Sequence, residues 1–167
     1  MKVTKRGEYA LRALIDLATA REAGRELLPL KEIAARERIP LPFLVQIFAQ
    51  LREAGIVDGK RGKHGGFFLA RPASTIFIGE IVRLVDGPLA PIGCVSQTAY
   101  RKCSCPDEDH CGLRLLMLDV RNAIADILDR HSLAEVVSVA ISKLRRDGIE
   151  LPFAKPAVPD SPFDYQI

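Results

Sequence analysis

A mainly α chain with a small β-hairpin wing, a winged helix–turn–helix followed by a long dimerisation helix, is the fold class this sequence predicts. Three observations carry that expectation. Three amphipathic segments separated by short polar breaks occupy the stretch before residue 55. A Gly-rich basic turn then lies between two apolar runs, as in a hairpin. Further on, a stripe of Leu, Ile and Val repeats at three and four residues from Leu113 to Leu128. With no Trp and only 6% aromatic residues among 167, the core must rest on Leu, Ile, Val and Ala, which leans helical.

The first helix is expected over Tyr9–Ala20, with Leu11, Leu14, Ile15 and Ala18 on one face and Arg12 and Asp16 on the other. A polar break precedes a second helix at Leu30–Arg38, with Ile33 and Ala34 inward, and Pro40 ends it. Pro42 suits the first turn of a third helix, where its missing N–H costs nothing. That helix carries Leu44, Ile47, Phe48 and Leu51 as its apolar stripe and closes at Gly55. Ile56-Val57, the turn GKRGKHGG and Phe67-Phe68-Leu69 follow as strand, turn and strand. Three helices and a hairpin in this order make a winged helix–turn–helix.

A short helix is expected at Ile76–Val85 and is broken by Gly87-Pro88. Residues 88–112 are irregular and hold all four cysteines. The long helix from Leu113 has an apolar stripe of Leu113, Leu116, Met117, Val120, Ile124, Ile127 and Leu128, which a second copy of the chain would cover. Ser132 and Glu135 form a capping box for a last helix. The implied organisation is a DNA-binding domain over 1–87, a cysteine-rich loop over 88–112, dimerisation helices over 113–147 and a Pro-rich flexible tail over 148–167.

Charge divides along the same line. Residues 1–72 carry 14 Lys and Arg against 8 Asp and Glu, whereas residues 73–167 carry 10 against 13. A basic first half is expected to meet a polyanion, here double-stranded DNA. At the start of the third helix the residues expected to face a major groove are Leu41, Pro42, Phe43, Val45 and Gln46, of which Gln46 alone has strong hydrogen-bonding capacity, suited to adenine. Gln46 is equally compatible with plain exposure. Lys60, Arg61, Lys63 and His64 in the turn are candidates for phosphate or minor-groove contact. No P-loop or dinucleotide fingerprint accompanies these glycines, and no catalytic triad or carboxylate pair is present, so an enzyme is not expected. The first apolar stretch is interrupted by Arg12 and Asp16, unlike a signal peptide, and no apolar run approaches membrane-spanning length. A cytoplasmic protein is therefore expected, with reduced thiols available as metal ligands or redox sensors.

Cys94, Cys103, Cys105 and Cys111 are spaced C-x8-C-x-C-x5-C. The short paired hooks of a zinc ribbon are absent, and there is no CxxC. Uneven spacing on an irregular loop suits an iron–sulfur cluster. Zinc or a simple thiol switch stays open on spacing alone.

The segments EYALRALIDLA at 8–18, GKHGGFFLAR at 62–71 and IGEIVRLVDG at 78–87, with the cysteine loop leading into Leu113, resemble the Rrf2 family of regulators over residues 1–147. That family includes sensors of iron–sulfur assembly, nitric oxide and iron, alongside cluster-free members that sense metabolites or act through a partner enzyme. The resemblance implies a winged-helix homodimer on a palindromic operator, usually a repressor, with a long helix crossing between subunits. It also implies a 2Fe–2S or 4Fe–4S cluster near the start of that helix. Cys94 matches the first ligand position, and Cys105 and Cys111 match the C-x5-C pair. Cys103 is an extra thiol that could replace Cys105 or serve as the fourth ligand. Leu113-Arg114 stands where some members carry a ligand His. Glu8 matches a carboxylate donated by the partner chain in others, and His110 is a further candidate. Val45 stands where a Glu accompanies the matching Gln, so the operator is not transferable by analogy.

Overall fold

The computed structural model describes residues 3–62 and 64–154. Six α-helices and a two-stranded antiparallel hairpin follow one another as α1 (Lys5–Glu22), α2 (Leu30–Glu37), α3 (Leu41–Glu53), β1 (Val57–Lys60), β2 (Gly66–Leu69), α4 (Ile78–Asp86), α5 (Gly112–Arg130) and α6 (Leu133–Arg146). The mainly α winged helix–turn–helix with a long following helix is what the periodicities predicted.

Helix α1 begins four residues earlier than expected, because Thr4 accepts the Gly7 N–H as N-cap. Thr4 is itself held by Asp86, which accepts its backbone N–H at 2.9 Å and its hydroxyl at 2.5 Å. The last residue of α4 thus fixes the start of α1, and Gly7 makes the approach possible: a Cβ there would sit 2.1 Å from the Asp86 carboxylate. Ala10, Ala13, Leu14, Leu17 and Ala18 of α1 join Ile33, Leu44, Ile47, Phe48, Leu51, Ile81 and Ile141 in one core. The α3 stripe is buried as its spacing predicted. The helix closes with Gly55 at φ +69°, where the Ile56 N–H reaches the Leu51 carbonyl at 2.9 Å.

Asp16 departs from the pattern. It was expected on the polar face of α1, yet it is 3% exposed, because α2 packs across that face and Arg36 donates to it at 3.0 Å. Its other oxygen has no partner among the described residues. Burial pushes the Asp16 carboxyl up to about 6, against the pull of Arg36; Glu37 adds to the rise and Arg12 opposes it.

The hairpin pairs Val57 with Leu69 and Lys60 with Gly66. Gly59 and Lys60, assigned to the turn from sequence, therefore belong to β1. Leu28 adds a bridge on the other edge of β2 by exchanging backbone hydrogen bonds with Phe67 at 3.0 and 2.9 Å. Helix α4 starts two residues later than expected, because the residues before it pair with the α5–α6 corner. There Leu133 donates to the Ile76 carbonyl at 2.8 Å and Ile78 to the His131 carbonyl at 3.0 Å. The Ser132–Glu135 capping box is present.

Beyond α6 the chain does not leave the fold at residue 148. Leu151 and Phe153 pack against the core, and the Phe153 ring lies 5.8 Å from the Arg25 guanidinium and 5.1 Å from that of Arg36. The remainder of the expected flexible tail, 155–167, lies outside the described residues.

Because the folded-state pKa of Asp16 is raised above its unfolded value, the native state binds the proton more tightly between pH 4 and 6. Stability contributed by this group is present at low pH and lost as pH rises through about 6, by on the order of 2 kcal/mol. Urea melts at pH 4.5 and 7.5 should show that loss in the unaltered protein, and it should be smaller in Asp16→Asn. An equal pH dependence in both would show that Asp16 titrates normally.

Candidate nucleic-acid interface and cysteine loop

The residues expected to face DNA lie on two neighbouring features. At the start of α3, Pro42, Phe43 and Gln46 are exposed and Leu41 is half-buried; Phe43 and Val45 are each 52% exposed. Two large apolar side chains in water at a helix N-terminus are not explained by the core, which takes Leu44, Ile47 and Phe48 from the opposite face. Phe43 is steadied from below by Tyr9, ring centroids 6.5 Å apart and edge on. Gln46 has no partner among the described residues, so its amide is available.

On the wing, Lys60, Arg61 and His64 are all exposed, and Lys63 lies outside the described residues. The turn is built by its glycines. Gly62 adopts φ +114° and accepts from the Gly65 N–H at 2.9 Å. At Gly66 a Cβ would come within 2.8 to 2.9 Å of the Leu28 backbone, so only glycine lets Leu28 pair with the hairpin. Phe67 carries this rigidity inward by packing edge on against Phe48 of α3 at 4.9 Å. Wing and recognition-type helix thus form one body.

The four cysteines lie between α4 and α5. Cys94 is buried in a 3-10 turn, Cys103 and Cys111 are partly buried, and Cys105 is exposed; all are free thiols. Cys111 occupies the N-cap position of α5. The Cys105 N–H points at the Cys103 sulfur at 3.4 Å. Cys103 above all, with burial and Cys111 behind it, pushes the Cys105 thiol up to about 11. Burial pushes the Cys94 thiol above its ordinary value, and Cys103 and Glu108 push the same way. Cys103 and Cys105 are thus in direct contact. Even so, among the described residues no three Cys, His, Asp or Glu side chains are arranged to close around a metal ion. In donor chemistry the loop fits an iron–sulfur cluster, since thiolates are its preferred ligands.

The other candidate ligands are elsewhere engaged. Glu8 binds Lys5 at 2.7 Å and Arg12 at 3.2 Å on its own helix, and Lys5 chiefly holds its carboxyl below the usual range. His110 is 86% exposed and its Nδ1 lies 2.7 Å from Asp107. Sequence reasoning overlooked Glu108. Its carboxylate accepts from the Tyr100 hydroxyl at 2.7 Å, lies 3.4 Å from Arg114 on the first turn of α5, and faces the Cys103 sulfur at 3.8 Å. The only signal in the sequence was the acidic run between Cys105 and Cys111.

A three-helix unit with an exposed helix start beside a glycine-shaped basic hairpin defines a winged-helix transcription regulator. The model of the Rrf2 family, described as iron-dependent transcriptional regulators, matches residues 3–139, and the chain belongs to that family. It is 37% identical over 138 residues to an rrf2-like HTH-type transcriptional regulator of Rhodobacter capsulatus, covering 81% of this chain and 92% of that one. It is 34% identical over 138 residues to the HTH-type transcriptional regulator IscR of Escherichia coli, covering 83% and 81%. Among solved structures it resembles CymR, the global cysteine regulator of B. subtilis, with TM-score 0.70, 28% identity and coverage of 83% of this chain and 98% of that one. It also resembles T. potens IscR, with TM-score 0.64, 31% identity and coverage of 84% and 88%.

The contact between Gly66 and Leu28 yields a specific expectation. Gly66→Ala should lower unfolding stability by about 1–3 kcal/mol, because the new methyl meets backbone rather than a flexible side chain. Chemical denaturation measures it, and an unchanged midpoint would show that the Leu28 bridge is dispensable.

Proposed function

We propose that this chain is a transcriptional repressor that binds a palindromic operator in double-stranded DNA as a homodimer, and that an iron–sulfur cluster held by the cysteine loop controls its DNA binding. The observation that carries this reading is the gathering of four free thiols in one loop, fused directly to the start of α5, in a chain of winged-helix regulator class.

Phe43, Val45 and Gln46 would meet base edges, while Lys60 and Arg61 with Lys63 and His64 would meet the backbone or minor groove. Apolar readout by Phe43 and Val45 suits thymine methyl groups. The homodimer is supported by α5, on which Leu113, Leu115, Leu116, Val120 and Ile127 stand between 37% and 57% exposed. Such a stripe is costly in water and is covered most simply by the same stripe of a second copy. Cys94 and Cys111, with Cys103, Cys105 or both, would hold the cluster. When bound it supplies an iron centre that oxygen, nitric oxide or iron shortage destroys. The protein's own part is to couple loop order to the wing. Arg114 ties α5 to the Cys94 carbonyl at 3.4 Å, and Arg83 of α4 grips Asp129 of α5 with both nitrogens, at 2.5 and 2.7 Å. Asp86 at the far end of α4 fixes the start of α1. A change in the loop therefore reaches the DNA-binding unit through packed helices.

A second reading, a thiol switch without a cluster, is favoured by the closeness of Cys105 to both Cys103 and Cys111 and by the likeness to a cysteine regulator.

Protein purified without oxygen should contain iron and acid-labile sulfide in near-equal amounts, with visible absorption that Cys94→Ala and Cys111→Ala each diminish. Zinc alone, or metal-free protein that forms reversible disulfides on oxidation, would sink the cluster reading and leave the DNA-binding one standing. For the latter, Lys60→Ala and Arg61→Ala should each reduce the slope of log K against log salt by about 1, uniformly across DNA sequences. An unchanged slope in both would remove the wing from the interface.

A further inference from the structure

Glu108 differs from every other carboxylate of the cysteine loop in how it is held. Its side chain is 14% exposed, whereas Asp107 beside it is 58% exposed. Its two oxygens do different things. One accepts from the Tyr100 hydroxyl at 2.7 Å and lies 3.4 Å from Arg114 Nε. The other has the Cys103 thiol at 3.8 Å. Carboxylates that ligate metals are themselves held by outer hydrogen bonds, as Tyr100 and Arg114 hold this one.

The spacing agrees. A thiolate and a carboxylate oxygen sharing one tetrahedral metal, with bonds of ~2.3 and ~2.0 Å, lie about 3.5 Å apart. The separation of 3.8 Å is within a few tenths of that. Of the alternative non-sulfur donors, His110 is turned to Asp107 in solvent and Glu8 is bound by Lys5 and Arg12.

We propose that Glu108 is an oxygen ligand to the metal ion bound by the Cys103 thiolate, so that the donor set of the loop is mixed thiolate and carboxylate. Tyr100 and Arg114 orient it. Binding releases the Cys103 proton to solvent. The proposal deepens the metal-binding part of the function above, and its test is independent of whether the native group is an iron–sulfur cluster.

The probe is cobalt(II), titrated anaerobically into the full-length metal-free chain, with thiolate-to-cobalt and ligand-field absorption read together. Glu108→Gln is the decisive variant, since its amide oxygen still accepts from Tyr100 and Arg114 and so preserves the loop contacts, while it is a poor ligand. The expected result is a loss of cobalt affinity of about ten-fold or more with displaced ligand-field bands, and persisting thiolate charge-transfer bands. Affinity within two-fold of the unaltered chain with superposable bands would overturn the proposal. A large effect in Glu108→Ala with none in Glu108→Gln would overturn it too, making Glu108 a loop staple. So would failure of the unaltered chain to bind cobalt. Failure of the cluster reading appears separately, as native protein lacking iron and sulfide while the cobalt result stands.

Discussion

Helix α1 receives α2, α3, α4, α6 and β2 on its surface, and the close approach of so many elements to one helix constrains everything else. Side chains of ordinary size would hold these neighbours apart. The contact faces of α1 are instead built from Gly7, Ala10, Ala13, Ala18 and Ala20, with Leu14 and Leu17 filling the deeper gaps. Close packing is what makes such a hub rigid, since interiors at crystal-like density pass displacement on rather than absorbing it. The clearest instance is at its start, where Gly7 and the Asp86 carboxylate occupy space that no larger residue could share.

The same device recurs at the junction of α4 and α5. A Cβ at Gly79 would fall 1.9 Å from an Asp129 oxygen, so glycine is what allows Asp129 to reach Arg83. The paired backbone bonds of Ile76 and Ile78 with Leu133 and His131 close this corner. The winged domain and the long helices are therefore bound by close joints, and the cysteine loop between them sends Leu89 into the core and buries Cys94 and Val95.

Apolar spacing made the architecture legible. The stripe of Leu44, Ile47, Phe48 and Leu51 placed α3, the glycines of the turn placed the hairpin, and Ser132 with Glu135 marked the start of α6. The stripe of α5 was equally visible; its Leu113, Leu116, Val120 and Ile127 are exposed, whereas Met117, Ile124 and Leu128 are half-buried. Asp16 was not legible, because period alone assigns a residue to a helix face and says nothing of which neighbour covers that face. Nor was Phe153, whose place depends on two arginines that only the fold brings together.

The sequence by itself determined the winged-helix class, the basic wing, and four thiols confined to one loop, since these follow from periodicity, glycine positions and composition, all local properties. Tertiary structure alone decided that Glu108 lies against Cys103 and is gripped by Tyr100 and Arg114, that Leu28 completes the hairpin, and that Asp86 holds Thr4. Those pairings join residues up to 82 positions apart, or turn one carboxylate of an acidic run inward while its neighbour stays in water. Nothing in residue type or spacing encodes such a choice, because it depends on which surfaces the folded chain brings into contact.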